Sequence, residues 1–509
     1  MPSPPIGIGL MPSIWSAHRN IVYKGFIFIL TYLCYASYHL SRKPVSVVKS
    51  VLHQNCSLLT LGVGNWHNIS NSTKDDTWCD WPPFDKSDYD ELLGSLDYGF
   101  LFAYAVGMFI SGHVAERMNL RHFLTIGMIG SGILTATFGL GYFFNIHVFA
   151  FYVIVQIVAG LFSSTGWPSV VACMGNWYGK SKRGLIMGIW NSHTSVGNIL
   201  GAVIPALFVE TAWGWSFVVP GIIIGSLGVI VFFFLVPAPE DVGCPSPDHL
   251  GKNVTLDVEA PHSQTTKPEL QDKAGSVQIL PSASEETPLI TSGSKDKPVT
   301  FLRALFIPGV IEFALCLFFA KLVSYTFLFW LPFYIKNATS YKAEASALLS
   351  TLFDVGGIAG GILAGIISDV TGARAATCTL MLLAAAPMMY VYSVFGSLTF
   401  THNVVLLLVC GLLVNGPYAL ITTAVSADLG THKSLLGNAK ALATVTAIID
   451  GTGSMGAALG PLLTGLIAPL SWEYVFYMLI AADGMASLLL IRLVYRDVLM
   501  MIRRIRGLQ

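Results

Sequence analysis

The amino-acid sequence predicts an all-α polytopic membrane protein with twelve transmembrane helices in two six-helix halves, and three observations carry that expectation. Of 509 residues, 53% are hydrophobic and only 11% are charged, against about 25% charged in an ordinary soluble domain. Apolar runs of about 20 residues, enough to cross a bilayer, recur twelve times, with a polar stretch dividing them six and six. Two short patterns in the first set also reappear at matching places in the second. Lys+Arg and Asp+Glu both number 29, so net charge points to no nucleic-acid partner.

In the first half, residues 1–236, the apolar runs lie near 22–42, 92–114, 122–144, 148–172, 184–208 and 215–236. The first ends at Tyr35-Ala-Ser-Tyr38-His-Leu-Ser-Arg42-Lys43-Pro44. If the helix stops there, Arg42 and Lys43 are interfacial anchors that snorkel to the membrane surface. If it continues past Pro44 toward Leu52, both charges lie inside the protein, and helical spacing sets Tyr35 and Tyr38 on one stripe with Arg42. No small-residue cleavage site follows the run, so no cleavable signal peptide is expected.

Residues 50–91 form a polar loop with three glycosylation triplets, beginning at Asn55, Asn68 and Asn71. Its two cysteines, Cys56 and Cys79, are expected to form a disulfide in a lumenal or extracellular compartment. The remaining six cysteines show no metal-ligand spacing.

The fifth run opens on a basic loop with Lys180, Lys182 and Arg183, then keeps Asn191, Ser192, His193 and Asn198 inside apolar sequence. Polar and titratable groups at membrane depth are costly unless they serve a site. Trp190, His193, Gly197 and Gly201 share one helical face, which would let a neighbouring helix approach closely. His193 is thus either a ligand-site residue or a buried histidine bonded to a neighbouring helix.

Residues 237–300 mix Pro, Ser, Thr and charge without apolar periodicity and are expected to be a disordered cytosolic linker. In the second half, 301–496, the runs lie near 303–334, 345–368, 375–396, 402–424, 437–468 and 472–495, followed by a basic tail, 497–509. Lys321 sits in a strongly apolar stretch ahead of Ser324 and Tyr325. Asp354 precedes the glycine row Gly357, Gly361 and Gly365. Lys440 and Asp450 fall in the eleventh run and are expected to neutralise neighbours.

The echoes fix the duplication. Gly112-His-Val-Ala-Glu116-Arg117-Met-Asn-Leu-Arg121 after the second run is answered by Gly365-Ile-Ile-Ser-Asp369-Val-Thr-Gly-Ala-Arg374 after the eighth. Ser195-Val-Gly197 and Gly201 in the fifth run are answered by Ser454-Met-Gly456 and Gly460 in the eleventh. Parallel repeats of this kind hold substrate near the bilayer midplane between the two bundles. With alternating helices, Arg117, Arg121, Lys180, Lys182, Arg183, Arg374, Lys433, Arg492, Arg496, Arg503, Arg504 and Arg506 share one side, which the positive-inside rule makes cytosolic, together with both termini.

The two Gly-x-x-x-acid loops resemble the signature of the major facilitator superfamily. The stretch Tyr35 to Lys43 and the block Trp177 through Gly197, with Arg183-Gly184 and Trp190-Asn191-Ser192-His193, resemble the organophosphate:phosphate antiporter family. Nearly the whole chain is similar to the sugar-phosphate exchangers of the endoplasmic reticulum within it. The resemblance implies an endoplasmic-reticulum antiporter, without cofactors, that exchanges a sugar phosphate, glucose 6-phosphate foremost, for inorganic phosphate by alternating access. It implies that Arg42 grips phosphate and that His193 lies beside the substrate; Lys43, Tyr38, Asn191 and Tyr325 are further candidate binding residues. Ser324 stands where bacterial relatives carry a seventh-helix arginine, so Lys321, one turn earlier, is expected to supply that charge. Glu116, Arg117, Arg121, Asp369 and Arg374 would form the conformational motif. The chemistry agrees, because a phosphate ester carries nearly two charges near neutral pH and an arginine binds it through paired donors.

Two rivals remain at this point. A proton-coupled symporter for a sugar or another organic anion calls for a buried carboxylate central in the first or fourth run, and neither has one. A non-transporting sensor on the same fold is the other. An enzyme is not expected, since no metal spacing, nucleophile elbow or phosphate-binding glycine loop is present.

Overall fold

The computed structural model describes residues 5–54, 56, 79–115, 118–178, 189–245, 304–430 and 439–505, apart from a short stretch at 11–18. Twelve long helices are present among the described residues. In the first half they are α1 (Arg19–Leu52), α2 (Tyr89–Ala115), α3 (Leu120–Phe143), α4 (Phe149–Tyr178), α5 (Ile189–Val209) and α6 (Trp215–Phe234). The second half supplies α7 (Val310–Ala338), α8 (Ala343–Thr371), α9 (Arg374–Phe395), α10 (Phe400–Val425), α11 (Ala439–Ile467) and α12 (Trp472–Leu489). Ten are long and apolar enough to cross a membrane alone, and α12 passes the same test together with α13 (Ile491–Ile505), from which it is bent by 53°.

The helix pairing repeats between halves. In the first, α1 packs on α5, α2 on α4 and α3 on α6; in the second, α7 packs on α11, α8 on α10 and α9 on α12. Each pair maps onto its counterpart six helices later. The glycines of the echoed pattern explain why. A Cβ at Gly197 would overlap Ala36 O and His39 of α1, and one at Gly201 would lie 2.7 Å from Lys43 Cβ. Likewise a Cβ at Gly456 would overlap Phe318 O of α7, and one at Gly460 would lie 2.5 Å from Leu322 O. Only hydrogen at these positions permits backbone contact, so the small-residue faces seat the neighbouring helix.

Between the halves, α2 meets α11, α5 meets α8, and the second segment of α1 meets α7. The first helix does not end at Arg42. It breaks at Lys43, where Pro44 restarts it at the first helical position and needs no N–H partner there, and runs on to Leu52. Arg42 is 8% exposed and Lys43 1%, so neither is an interfacial anchor.

Other expected boundaries shift. The seventh helix starts at Val310, because Gly309 takes φ 103° at its cap. The twelfth stops at Leu489, and the basic end of the chain continues as the helix α13 to Ile505 rather than as an extended tail. The start of the interhelical segment is also ordered: Pro239–Val242 forms a 3₁₀ turn, and Cys244 is buried. Residues 246–303, most of the expected linker, lie outside the described residues, as do Asn55, Asn68 and Asn71, Glu116, Arg117 and the Lys180–Arg183 loop.

Candidate functional site

The break in α1 turns the helix where it meets the second half. Just before it, Arg42 reaches into a small cavity of about 20 Å³, room for about one water molecule, so the side chains around it are drawn together and must part to admit a larger ligand. Thr194 and Asn198 of α5 line it from the first half. Ser324 and Tyr325 of α7, Asp354 of α8, and Asn415 and Tyr418 of α10 line it from the second. Of the contributing helices, α1, α5, α7 and α8 pack across the seam, and α10 packs on α8.

Arg42 donates from its Nη2 to Tyr325 Oη at 3.2 Å, and its guanidinium carbon sits 5.4 Å from the centre of that ring. The same nitrogen touches the His39 imidazole, one turn back. Arg42 Nε is buried without a protein partner. The expected tyrosine stripe is arranged otherwise. Tyr35 Oη pairs with Tyr104 Oη at 3.3 Å and Tyr38 Oη with Thr165 Oγ1 at 3.2 Å, so both are tied to α2 and α4, and the hydroxyl at the arginine comes from the opposite half.

A relay runs across the seam behind the arginine. Asn198 Nδ2 donates to Asp354 Oδ1 at 3.0 Å, which turns Asn198 Oδ1 toward His39 Nδ1, 3.1 Å away. Arginine can only donate. His39 Nδ1 therefore serves Asn198 when it carries its proton and Arg42 when it does not. His39 was invisible in the sequence, because nothing in a histidine three residues before an arginine distinguishes a partner from a bystander.

His193 is fully buried, one layer back. Its ring meets Trp190 edge-on at 4.4 Å and Tyr35 at 4.8 Å, with His39 at 6.2 Å and thus between it and Arg42. Its Nδ1 lies 3.2 Å from Thr194 Oγ1, and its Nε2 has no protein partner. It does not line the cavity; the neighbouring Thr194 does. Asn191 is half-buried on the preceding turn and is not part of the cavity wall.

The charges sort into pairs and a remainder. Lys321 donates to Asp450 Oδ1 at 2.8 Å and lies 3.5 Å from Ser454 Oγ, so the cation expected to stand in for a seventh-helix arginine is compensated by the eleventh helix. This also realises the neutralising role expected of Asp450. The Lys440 side chain lies outside the described residues. Deeper toward the first loop, Lys49 pairs with Asp97, both fully buried, with its Nζ 3.9 Å from the centre of the Trp330 ring. Neither Lys49 nor Asp97 was anticipated: even with the first helix continued to Leu52, nothing along the sequence brings these two residues together. Lys43 donates to the Leu328 carbonyl of α7. Among the described residues, what is left is Arg42 and Asp354 on the cavity wall and Lys43 just behind it: two cations, one carboxylate.

The first-loop side of the seam is closed by lysines donating to main-chain carbonyls. Lys336 of α7 reaches Ser50 O and lies 3.3 Å from Gln54 Oε1, and Lys49 lies 3.4 Å from Phe329 O. A Cβ on Gly94 of α2 would stand 3.2 Å from Gly465 Cα of α11. Next to this closure Cys56 and Cys79 form a disulfide, S–S 2.02 Å, and Asp80 pairs with His53 at 2.8 Å. On the opposite side, Arg374 at the start of α9 bonds Asp428 at 2.8 Å, Asp369 is exposed, and Arg121 follows the Asn119 cap.

Two six-helix halves with a polar cavity at their seam define a secondary transporter. The profile of the Major Facilitator Superfamily matches residues 82–439. The chain is 57% identical over 493 residues to Glucose-6-phosphate exchanger SLC37A2 of Mus musculus, covering 96% of each. It is 53% identical to Glucose-6-phosphate exchanger SLC37A1 of Homo sapiens, covering 95% of each. The fold is similar to that of a D-xylose–proton symporter, with a TM-score of 0.58 at 14% identity, covering 92% of this chain and 98% of that one. A bacterial homologue of the lysosomal transporter Spinster, inward-facing and unoccupied, gives 0.57 at 14% identity, covering 93% and 98%. The chain belongs to the Major Facilitator Superfamily and, within it, to the sugar-phosphate exchangers.

Proposed function

We propose that the protein exchanges glucose 6-phosphate for inorganic phosphate across the endoplasmic-reticulum membrane by alternating access, with Arg42 as the phosphate anchor. The observation that carries this reading is the uncompensated positive charge at the seam, with an arginine of the first half pointing at hydroxyl and amide groups of the second. A buried cation without a counter-ion costs several kcal/mol, and a phosphate ester supplies the missing anion. Lys43 adds field from behind, through the turn that also holds Arg42. His193 supports the anchor through His39 and the aromatic cage. Lys321 acts through its pair with Asp450, keeping Tyr418, whose ring centre lies 5.6 Å from the lysine Nζ, in place on the cavity's far wall.

The same penalty favours obligatory exchange, because the empty carrier would have to reorient with Arg42 uncompensated. A penalty of about 3 kcal/mol would slow that step roughly a hundredfold. Proteoliposomes loaded with labelled phosphate should therefore release it rapidly when glucose 6-phosphate or phosphate is outside, and hardly at all in anion-free buffer. Equal efflux under both conditions would overturn exchange, and no efflux under either would favour the non-transporting sensor.

The compartment and the loop chemistry follow the same reading. The disulfide-bearing loop, with Asn55, Asn68 and Asn71, faces the lumen and carries glycans, and both termini face the cytosol. Glycosidase treatment should raise the protein's mobility on a gel. Unchanged mobility would reverse the assigned orientation or compartment.

A further inference from the structure

Inorganic phosphate and a sugar phosphate present the same anion and differ only in the hydroxyl-bearing part. The wall opposite Arg42 has features that phosphate alone does not explain. Asp354 is 4% exposed, sits on the cavity, and carries a negative charge that opposes any anion bound there. An anion-binding cavity that retains a carboxylate weakens its own attraction for the ligand unless the carboxylate contacts something else.

The local arrangement indicates what that is. Asp354 receives one N–H, from Asn198, on Oδ1, and an ionised carboxylate has room for about four hydrogen bonds. Gly357, one turn along α8 on the same face, exists without a side chain because Asn415 Nδ2 lies 2.6 Å from where its Cβ would stand. Asn415 accepts from Ser324 Oγ at 2.6 Å on its carbonyl oxygen, which leaves its amide N–H groups as donors. A pure acceptor and a donor thus stand side by side on one wall. A sugar hydroxyl is both donor and acceptor. Inorganic phosphate near neutral pH keeps only the O–H of its protonated oxygen to offer Asp354, whereas a sugar ring brings several hydroxyls.

We infer that Asp354, with Asn415 beside it, is the element that reads sugar hydroxyls and separates sugar phosphate from inorganic phosphate in the cavity. The inference rests on the substrate pair proposed above. Asp354 accepts O–H donors from the sugar, Asn415 donates back, and the Asn198 bond aims the carboxylate. The repulsion between Asp354 and the phosphate group is offset for the sugar ester by several such bonds, and for inorganic phosphate by the single P–OH it can turn toward the carboxylate. Asp354 is accordingly a specificity residue.

The test compares phosphate:phosphate with glucose 6-phosphate:phosphate exchange in proteoliposomes for the wild type, Asp354→Asn and Asp354→Glu. Loss of a hydrogen bond to a charged acceptor corresponds to about a tenfold or greater loss of apparent affinity. Asp354→Asn should therefore weaken glucose 6-phosphate at least tenfold and phosphate clearly less, and Asp354→Glu should recover part of the preference. Equal weakening of both substrates would make Asp354 a structural counter-ion for Lys43 and overturn the inference. If Asp354→Asn does not fold, the wild type assayed with a series of deoxyglucose 6-phosphates decides. One hydroxyl deletion must cost about tenfold in affinity in the wild type and less than that in Asp354→Glu, whose displaced carboxylate recovers only part of the bond; a flat series refutes the assignment. Phosphate:phosphate exchange without any glucose 6-phosphate exchange in the wild type would instead refute the proposed substrate, leaving this question distinct.

Discussion

Replacing Asp97 by Asn isolates the buried ion pair on the closed side of the seam. Lys49 and Asp97 are both fully buried, and Lys49 also faces Phe329 O and the Trp330 ring across the seam. Removing one partner of such a pair costs about 3–5 kcal/mol, because the other charge is left buried. Asn retains a carbonyl acceptor for the lysine, so the lower figure, about 3 kcal/mol, applies. That cost falls mainly on the closed state, since parting the halves on this side returns Lys49 to water. The ratio of closed to open should then shift roughly a hundredfold. A cysteine placed at Leu328, on the cavity wall, should become reactive to an impermeant maleimide from the first-loop side, and exchange should slow. The paired change Lys49→Met with Asp97→Leu removes both charges and should return most of the stability. Wild-type labelling in Asp97→Asn, or a double variant as open as the single one, would refute the reasoning.

Three further outcomes are expected. Arg42→Lys keeps the charge but loses the fork that serves Tyr325 and the ligand together, so exchange should fall at least tenfold with expression retained; near-normal exchange would remove Arg42 from the site. His39→Leu should impair exchange more than His193→Gln, because His39 holds both Arg42 and Asn198 whereas His193 acts from the layer behind, and the reverse order would place His193 at the ligand. Replacing Cys56 and Cys79 by Ser should lower thermal stability by about 3 kcal/mol, as for a closed loop of this length, with little change in substrate preference; a changed preference would couple the loop to the cavity.

The repeat was legible because glycine faces and acid-to-arginine spacing are properties of a single helix and its following loop. Gly197 and Gly201 announced a close neighbour, and α1 supplied it. Arg42 stood out because an arginine at the end of an apolar run has few neutral explanations. The partners did not stand out. Asp354, Asn198 and Asn415 come from three helices, and their meeting depends on how α5, α8 and α10 are rotated against one another, which spacing along one chain does not encode. Lys49 with Asp97 was hidden for the same reason: continuation of the first helix past Pro44, where proline starts a new segment, was one of two open readings, but the pairing depends on how that segment is rotated against α2. Lys321 was read correctly as buried and then credited with a free charge that Asp450 takes up.

The lysines that close the seam have main-chain carbonyls as acceptors: Leu328 O for Lys43, Phe329 O for Lys49 and Ser50 O for Lys336. A carbonyl persists whatever side chain its residue carries. Each clasp is therefore specified by one codon, with nothing at the receiving position for a compensating substitution to act on. Residue-covariation methods, which find contacts through reciprocal change, should pass over these three bonds and report the seam through the glycine crossings instead, while a saturation scan should show three intolerant lysines facing tolerant partners.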